Sequence, residues 1–335
     1  MTENLLKASD VGAAIYYKMR EEYLKKIPYG NEFSVMESRD GVMSMSGLRE
    51  DHIAFRAFDC PMGEMPGGFE SVERVFGPLG WKRGKDENGK EYNYDFPNMK
   101  VRAIHLEYPA DRPDLPKIFV STLIIDQLDP EDARKIKADL AETKDPLTQS
   151  DKDWLQRLGK GERITESEAK GLIERCYASL NRPWLPPHRS TILDVNDRSQ
   201  YATWTLLNGG MNHIAYLTAD IEKTVAGHKA AGREMLPTIQ GSKEKGLLQT
   251  SVRSPMFDFD VTEDLDGNKV EAGVFDFAVR EEDGTIGKIR WTGPFAEIIE
   301  RPLADDGKRY EAFLPENAAH IFAATRNKEM KKDNN

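Results

Sequence analysis

The sequence predicts an α+β fold in which two βαβββ modules curl into a partly open barrel, with a helical insertion between them and an N-terminal helix. Three observations carry this. The order strand, helix, three strands occurs twice; the two first strands echo each other; and the stretch between the copies turns into a succession of helix signals.

From Asp10 to Lys26, Val11, Ile15, Met19 and Tyr23 recur every four residues, which puts an apolar stripe on one side of a packing helix. From Asp51 the pattern becomes a strand, DHIAFRAF, followed by a short helix around Gly68 to Phe76 that stops near Gly77-Pro78. Strand-like runs follow at Tyr92 to Phe96, Val101 to Tyr108 and Lys117 to Ile125.

The stretch from Asp129 to about Leu180 is rich in Asp, Glu, Lys and Ala and holds three helix starts. Asp129-Pro130 sets a cap before a first-turn proline, Ser150 precedes DKDWLQRL, and Thr165 with Glu168 makes a capping box. A Pro-rich connector, RPWLPPHRS, ends this insertion. The second copy begins with the strand NHIAYLT at Asn212, then a helix capped at Asp220 that ends at Gly232. Strands at Leu247 to Arg253, Val270 to Val279 and Phe295 to Arg301 complete it. The expected divisions are an N-terminal helical segment (1–50), a first module (51–128), insertion and connector (129–205), a second module (206–303), and a C-terminal helix and tail (304–335).

With 335 residues and 39% hydrophobic content the chain is able to build a proper core. A formal charge of -10 argues against general affinity for nucleic acid or anionic membrane, so a small molecule is the expected partner. Two cysteines, Cys60 and Cys176, are too few for a disulfide framework. The first residues, MTENLLKASD, lack the apolar segment of a secretory signal, and no run approaches about 18 apolar residues. A soluble, cytoplasmic protein is expected. Its oligomeric state is left open.

Candidate chemistry follows from strand parity. Alternate residues share a face, so His52, Ala54 and Arg56 point one way while Ile53 and Phe55 point the other. The same phase puts His213 with Ala215, opposite Ile214 and Tyr216. On the last strand, PFAEIIERP, Glu297 shares a face with Ile299 and Arg301, and a carboxylate in so apolar a run is costly to bury unless paired or bound to a metal. Two imidazoles and one carboxylate from three strands make a facial triad, which leaves about three open positions on iron(II). Taken alone, a strand histidine is more often structural than a ligand. The repeat changes that weighing. Glu297 is preferred to Glu300, which lies on the other face. Arg56 suits a carboxylate near a metal, and Gln249, Ser251 and Arg253 form a plausible hydrogen-bonding wall for substrate. His105 is expected in a core or solvated role, His228 on the polar side of a helix, and neither His188 nor His320 has a partner at metal spacing.

Taken in order, DHIAFR, NHIAYL, LLQTSVR, FAEIIER and YEAFLPENA resemble the 2-oxoadipate dioxygenase/decarboxylase family, which has the vicinal oxygen chelate fold. FAEIIER is also similar to the last-strand ligand motif of the 4-hydroxyphenylpyruvate dioxygenases. The resemblance implies that His52, His213 and Glu297 bind Fe(II), that Arg56 contacts substrate, and that the reaction takes 2-oxoadipate and O2 to 2-hydroxyglutarate and CO2, a step of lysine breakdown. The distal substrate carboxylate needs a cation, for which Arg253 or Arg301 is available. Thr122 is expected at the first-copy position aligned with Glu297, so no metal site is expected there. Two other readings stay open: a metal-dependent dioxygenase, isomerase or lyase of the same fold acting on another 2-oxo acid, and a binding protein without catalysis.

Overall fold

The computed structural model describes residues 4–25, 50–230, 232, 235–236, 238–252, 261–263, 269–271, 274–292 and 295–317. The first part holds β1 (Leu5–Leu6), α1 (Ala8–Leu24), β2 (Glu50–Phe58), α2 (Glu70–Phe76), β3 (Lys82–Arg83), β4 (Tyr94–Phe96), β5 (Val101–Glu107) and β6 (Lys117–Leu123). Next come α3 (Pro130–Leu140), α4 (Gln149–Gly159), β7 (Ile164–Thr165), α5 (Glu166–Leu180), α6 (Arg189–Arg198) and α7 (Gln200–Asn208). The second part holds β8 (Gly210–Leu217), α8 (Ile221–Ala230), β9 (Gln240–Ser242), β10 (Leu247–Val252), β11 (Val261–Glu263), β12 (Lys269–Glu271), β13 (Val274–Arg280), β14 (Ile286–Thr292) and β15 (Phe295–Glu300).

One nine-stranded mixed sheet joins the two modules in the order β3-β5-β6-β2-β8-β15-β10-β9, with β4 paired to β5. It remains open rather than closing into a barrel. The two first strands, β2 and β8, meet antiparallel at its centre, and each has the last strand of its own module beside it in parallel, β6 and β15. This arrangement is the expected pair of modules. The sequence echo between β2 and β8 marks the seam where they join.

Strand alternation sorts the sheet's two faces. Ile53, Phe55, Ile214, Tyr216, Ala296 and Ile298 pack into one core with α1, whose Val11, Ile15, Met19 and Tyr23 are all buried, and with α2, α4, α5 and α8. Ala54, Phe58 and Phe119 face the other core, which α3, α6, α7 and the β13–β14 hairpin cover. Burying one such large side chain contributes roughly 1.5–3 kcal/mol. Helix starts follow local chemistry: Asp129 accepts from the Glu131 amide (2.9 Å) ahead of Pro130, and Thr165 and Glu168 form a reciprocal capping box. The box at α4 is Thr148 with Asp151, two residues earlier than the expected Ser150.

Three expectations need correcting. The run expected as one strand from Val270 to Val279 is split between β12 and β13, and neither joins the main sheet. Instead β13 pairs with β14 through an Asp283-Gly284 turn, where Gly284 takes a left-handed φ of 81° that suits a hairpin. The Pro-rich connector does not end the insertion, because α6 and α7 follow it. Finally, His228 on α8 is buried, not on a solvated face. No described helix is long and apolar enough to cross a membrane.

Candidate metal centre

Two rows of paired residues cross the middle of the sheet, and their register builds the centre. In one row Lys117 pairs with His52, His52 with Ala215, Ala215 with Glu297, and Glu297 with Ser251. In the other, His105 pairs with Phe119, Phe119 with Ala54, Ala54 with His213, and His213 with Phe295. Paired residues share a face, so His52, His213 and Glu297 project together from the same side. A small alanine stands beside each imidazole, Ala215 next to His52 and Ala54 next to His213, which leaves room for both rings to lean toward one point.

They do converge. His52 Nε2 lies 3.2 Å from His213 Nε2 and 3.8 Å from Glu297 Oε2, and His213 Nε2 lies 3.5 Å from Glu297 Oε1. A cation with bonds of about 2.1 Å holds adjacent ligands about 3 Å apart, so this triangle is the right size for a single ion. All three residues are buried, and among the described residues they are the one His/Cys/Asp/Glu group whose ligand atoms cluster, all within 4.8 Å.

The electrostatics fit the same reading. Burial, with a smaller push from Asp51, raises the Glu297 carboxyl to about 8, against the pull of Arg56. Burial lowers both imidazoles, His213 well below its usual range, so neither ring carries a compensating positive charge near neutral pH. Two neutral imidazoles around a costly carboxylate form a site that a divalent cation would satisfy.

Asp51 extends the site. Its Oδ2 lies 3.0 Å from His52 Nδ1, and its two oxygens accept from Arg301 Nε (2.6 Å) and Nη2 (2.9 Å). Burial would raise the Asp51 carboxyl, but the Arg301 charge and the His52 hydrogen bond hold it well below its ordinary value. A carboxylate on Nδ1 fixes the tautomer that presents Nε2 to a metal. Simple alternation would aim Asp51 away from His52. The pairing of β2 with β8 slips between Glu50 and His52, and this bulge re-aims the side chain. Sequence reasoning missed Asp51; the acidic residue directly before a candidate ligand histidine was the available signal.

Arg301 is therefore committed. Besides Asp51 it donates through Nη1 to the carbonyls of Tyr310 (2.6 Å) and Ala312 (2.8 Å), which ties the 310–313 segment across the site, and it is not placed to receive a substrate's distal carboxylate. Phe313 of that segment packs edge-on against the His52 ring, 4.9 Å between centroids. Arg56 is buried on the predicted face, its guanidinium 3.5 Å from the Trp204 ring centroid and 4.4 Å from that of Tyr201, both on α7. Gln249 and Ser251 are buried, and Ser251 stands directly opposite Glu297. Arg253 lies outside the described residues, as does His320. Glu300 has a structural task, accepting from the Ile221 amide (2.8 Å) at the start of α8.

His105 takes the expected core role, 2.9 Å from Tyr94 Oη and 2.8 Å from Glu107 Oε1. The expected equivalence of Thr122 with Glu297 does not hold. Glu297 follows by two the residue paired with His213, and the residue two after the partner of His52 is Phe119. Thr122 lies on the opposite strand face.

Comparisons with known proteins agree with this architecture. The family model for 2-oxoadipate dioxygenase/decarboxylase matches residues 30–286. The chain is 25% identical over 211 residues to the chloroplastic/amyloplastic 2-oxoadipate dioxygenase/decarboxylase of rice, a match that covers 60% of this chain and 47% of the rice protein, so it spans about half the length of that relative. Among solved structures, a putative glyoxalase superfamily protein from Ralstonia eutropha JMP134 superposes with a TM-score of 0.72 at 19% identity, over 91% of this chain and 85% of that one. Rice hydroxyglutarate synthase in complex with 2-oxoadipate superposes with a TM-score of 0.67 at 20% identity, over 98% and 96%. At these identities the structural likeness speaks for the fold, while the family match spans most of the sequence. The chain belongs to the 2-oxoadipate dioxygenase/decarboxylase family.

Proposed function

We propose that this chain is an Fe(II)-dependent dioxygenase that decarboxylates and hydroxylates a 2-oxo diacid, 2-oxoadipate, to give 2-hydroxyglutarate and CO2. The observation that carries the proposal is the buried His52–His213–Glu297 triangle, whose ligand atoms all lie within 4.8 Å of one another. Family membership supports it, as does the 2-oxoadipate complex of the rice protein of the same fold.

When bound, the ion would supply Lewis acidity toward the 2-oxo acid and a place to activate O2. The overall change balances: one oxygen atom enters the carboxylate formed at the former C2, the other enters the new hydroxyl, and C1 leaves as CO2. The substrate is thus its own source of electrons, and no second oxo acid is needed.

The chain's residues have separable tasks. Asp51 keeps the His52 proton on Nδ1, so Nε2 keeps its lone pair free for a metal. Arg56, held over the Trp204 ring, keeps a positive charge inside the site although burial lowers it to about 10, and that charge serves a substrate carboxylate. Gln249 and Ser251, on the strand next to Glu297, provide polar groups for the rest of the diacid. Phe119, Phe313 and Trp204 exclude bulk water, which strengthens each of these polar contacts. A cytoplasmic location is part of this proposal.

The test is O2 uptake by anaerobically purified, iron-reloaded protein over a panel of 2-oxo acids. Stoichiometric O2 and CO2 turnover with the six-carbon diacid, faster than with shorter or monocarboxylic analogues, is expected. Tight binding of 2-oxoadipate without O2 uptake would make this a binding protein instead.

A further inference from the structure

We infer that Phe119 stands at the fourth, symmetry-related position of the metal centre, where a side chain that cannot coordinate limits the ion to three protein ligands and so leaves its remaining coordination positions to the reactants. The inference rests on the metal reading above and adds a residue that determines what the ion can do.

The argument starts from register. At the antiparallel seam, His52 faces Ala215 and Ala54 faces His213, so the pairs exchange under a twofold rotation of the modules. Stepping from Ala215 to its parallel neighbour leads to Glu297. The same step from Ala54 leads to Phe119. Each module therefore offers two positions aimed at the centre, one on its first strand and one on its last. Three of the four hold ligand-type side chains, and the fourth holds a benzyl group that cannot coordinate.

Coordination arithmetic gives this a consequence. A six-coordinate ion with three protein ligands has about three positions left, enough for a bidentate 2-oxo acid and one O2. A fourth protein carboxylate would leave about two, which is enough for the chelate or for a monodentate acid with O2, but not for both reactants in full. Phe119 is buried, with its ring 6.2 Å from that of His52, 4.8 Å from Phe313 and 5.7 Å from Tyr94. These rings form an apolar wall on the side where the missing ligand would stand.

The rival account makes Phe119 simple core filling. Phe119→Glu, Phe119→His and Phe119→Leu separate the two, measured with Co(II) under anaerobic conditions by chelator competition, metal-induced thermal shift and the Co(II) visible spectrum. Loss of one outer partner already shifts metal affinity roughly 10–100-fold, so a new direct carboxylate is expected to tighten Co(II) binding by at least about tenfold. Phe119→Glu should also alter the Co(II) spectrum and blunt the change that 2-oxoadipate induces in it, while Phe119→Leu keeps wild-type affinity for the ion. A folded Phe119→Glu that binds Co(II) no more tightly than wild type overturns the inference. Should Phe119→Glu not fold, Phe119→His, which introduces no charge, is judged by the same criterion. If the wild type binds Co(II) and the substituted proteins gain nothing, this inference alone fails; if the wild type binds no Co(II), the metal reading falls and takes the inference with it.

Discussion

Asp51 and Asn212 occupy the same place in the two modules, each directly before a histidine of the candidate metal centre, yet they do different work. Asp51 sits at a bulge, holds His52 Nδ1 and joins a buried ion pair with Arg301. Asn212 is buried too, but its side-chain oxygen finds no hydrogen-bond partner among the described residues, and the residue is tied down through its backbone carbonyl by Tyr23 Oη at 2.6 Å. The last strands diverge in the same manner, with Glu297 in one module and Phe119 in the other. A repeated βαβββ unit thus supplies a near-symmetric frame and two imidazoles. On the proposed reading, the departures from symmetry decide which side of a bound ion would belong to protein and which to reactants.

The sharpest way to break this comparison is to remove the feature the modules share. His52→Ala and His213→Ala should each weaken metal binding by more than about 100-fold and abolish turnover, since a direct ligand matters more than the outer partners whose loss costs roughly 10–100-fold. A large effect at one histidine alone, measured by metal analysis of dialysed protein, would contradict equal contributions. Next comes the feature they do not share. Asp51→Ala should cost roughly 10–100-fold in metal affinity, whereas Asn212→Ala should change it little; chelator competition on both decides whether only the first module has an outer anchor.

Proton competition sharpens the role of the single carboxylate. Below about 8 the metal-free Glu297 carboxyl holds a proton that an incoming cation must displace, while both imidazoles are already neutral near pH 7. Metal affinity should therefore rise about tenfold per pH unit between roughly pH 6.5 and 8 and level off above, with one proton released per ion. Calorimetry in buffers of different ionisation enthalpy counts that proton. Arg56→Lys is expected to have the smallest effect, about a tenfold loss in kcat/KM for 2-oxoadipate, because lysine keeps the charge but loses the guanidinium that lies over Trp204 and the two-pronged grip on a carboxylate.

Much of this was legible in the sequence because it rests on local periodicity. The four-residue spacing of Val11, Ile15, Met19 and Tyr23 gave α1 its buried stripe, and alternation around His52, His213 and Glu297 put them on the face they occupy. Repetition told which histidines to pair. What stayed hidden depends on relations between strands. Asp51 reaches His52 only because of a bulge, and Phe119 replaces Thr122 as the counterpart of Glu297 only once two parallel registers are compared. Arg301 shares a strand face with Glu297, but its partners come from Asp51 and from the 310–313 segment, far away in sequence. Trp204 belongs to a short helix after a proline cluster, where local signals point to loop.

Anomalous diffraction from crystals grown anaerobically with Fe(II) addresses the central claim most directly. One iron peak per chain is predicted, within bonding distance of His52 Nε2, His213 Nε2 and a Glu297 oxygen, with Phe119 at the open side. Iron bound elsewhere, or a fully loaded crystal in which either imidazole turns away from the ion, would contradict the account.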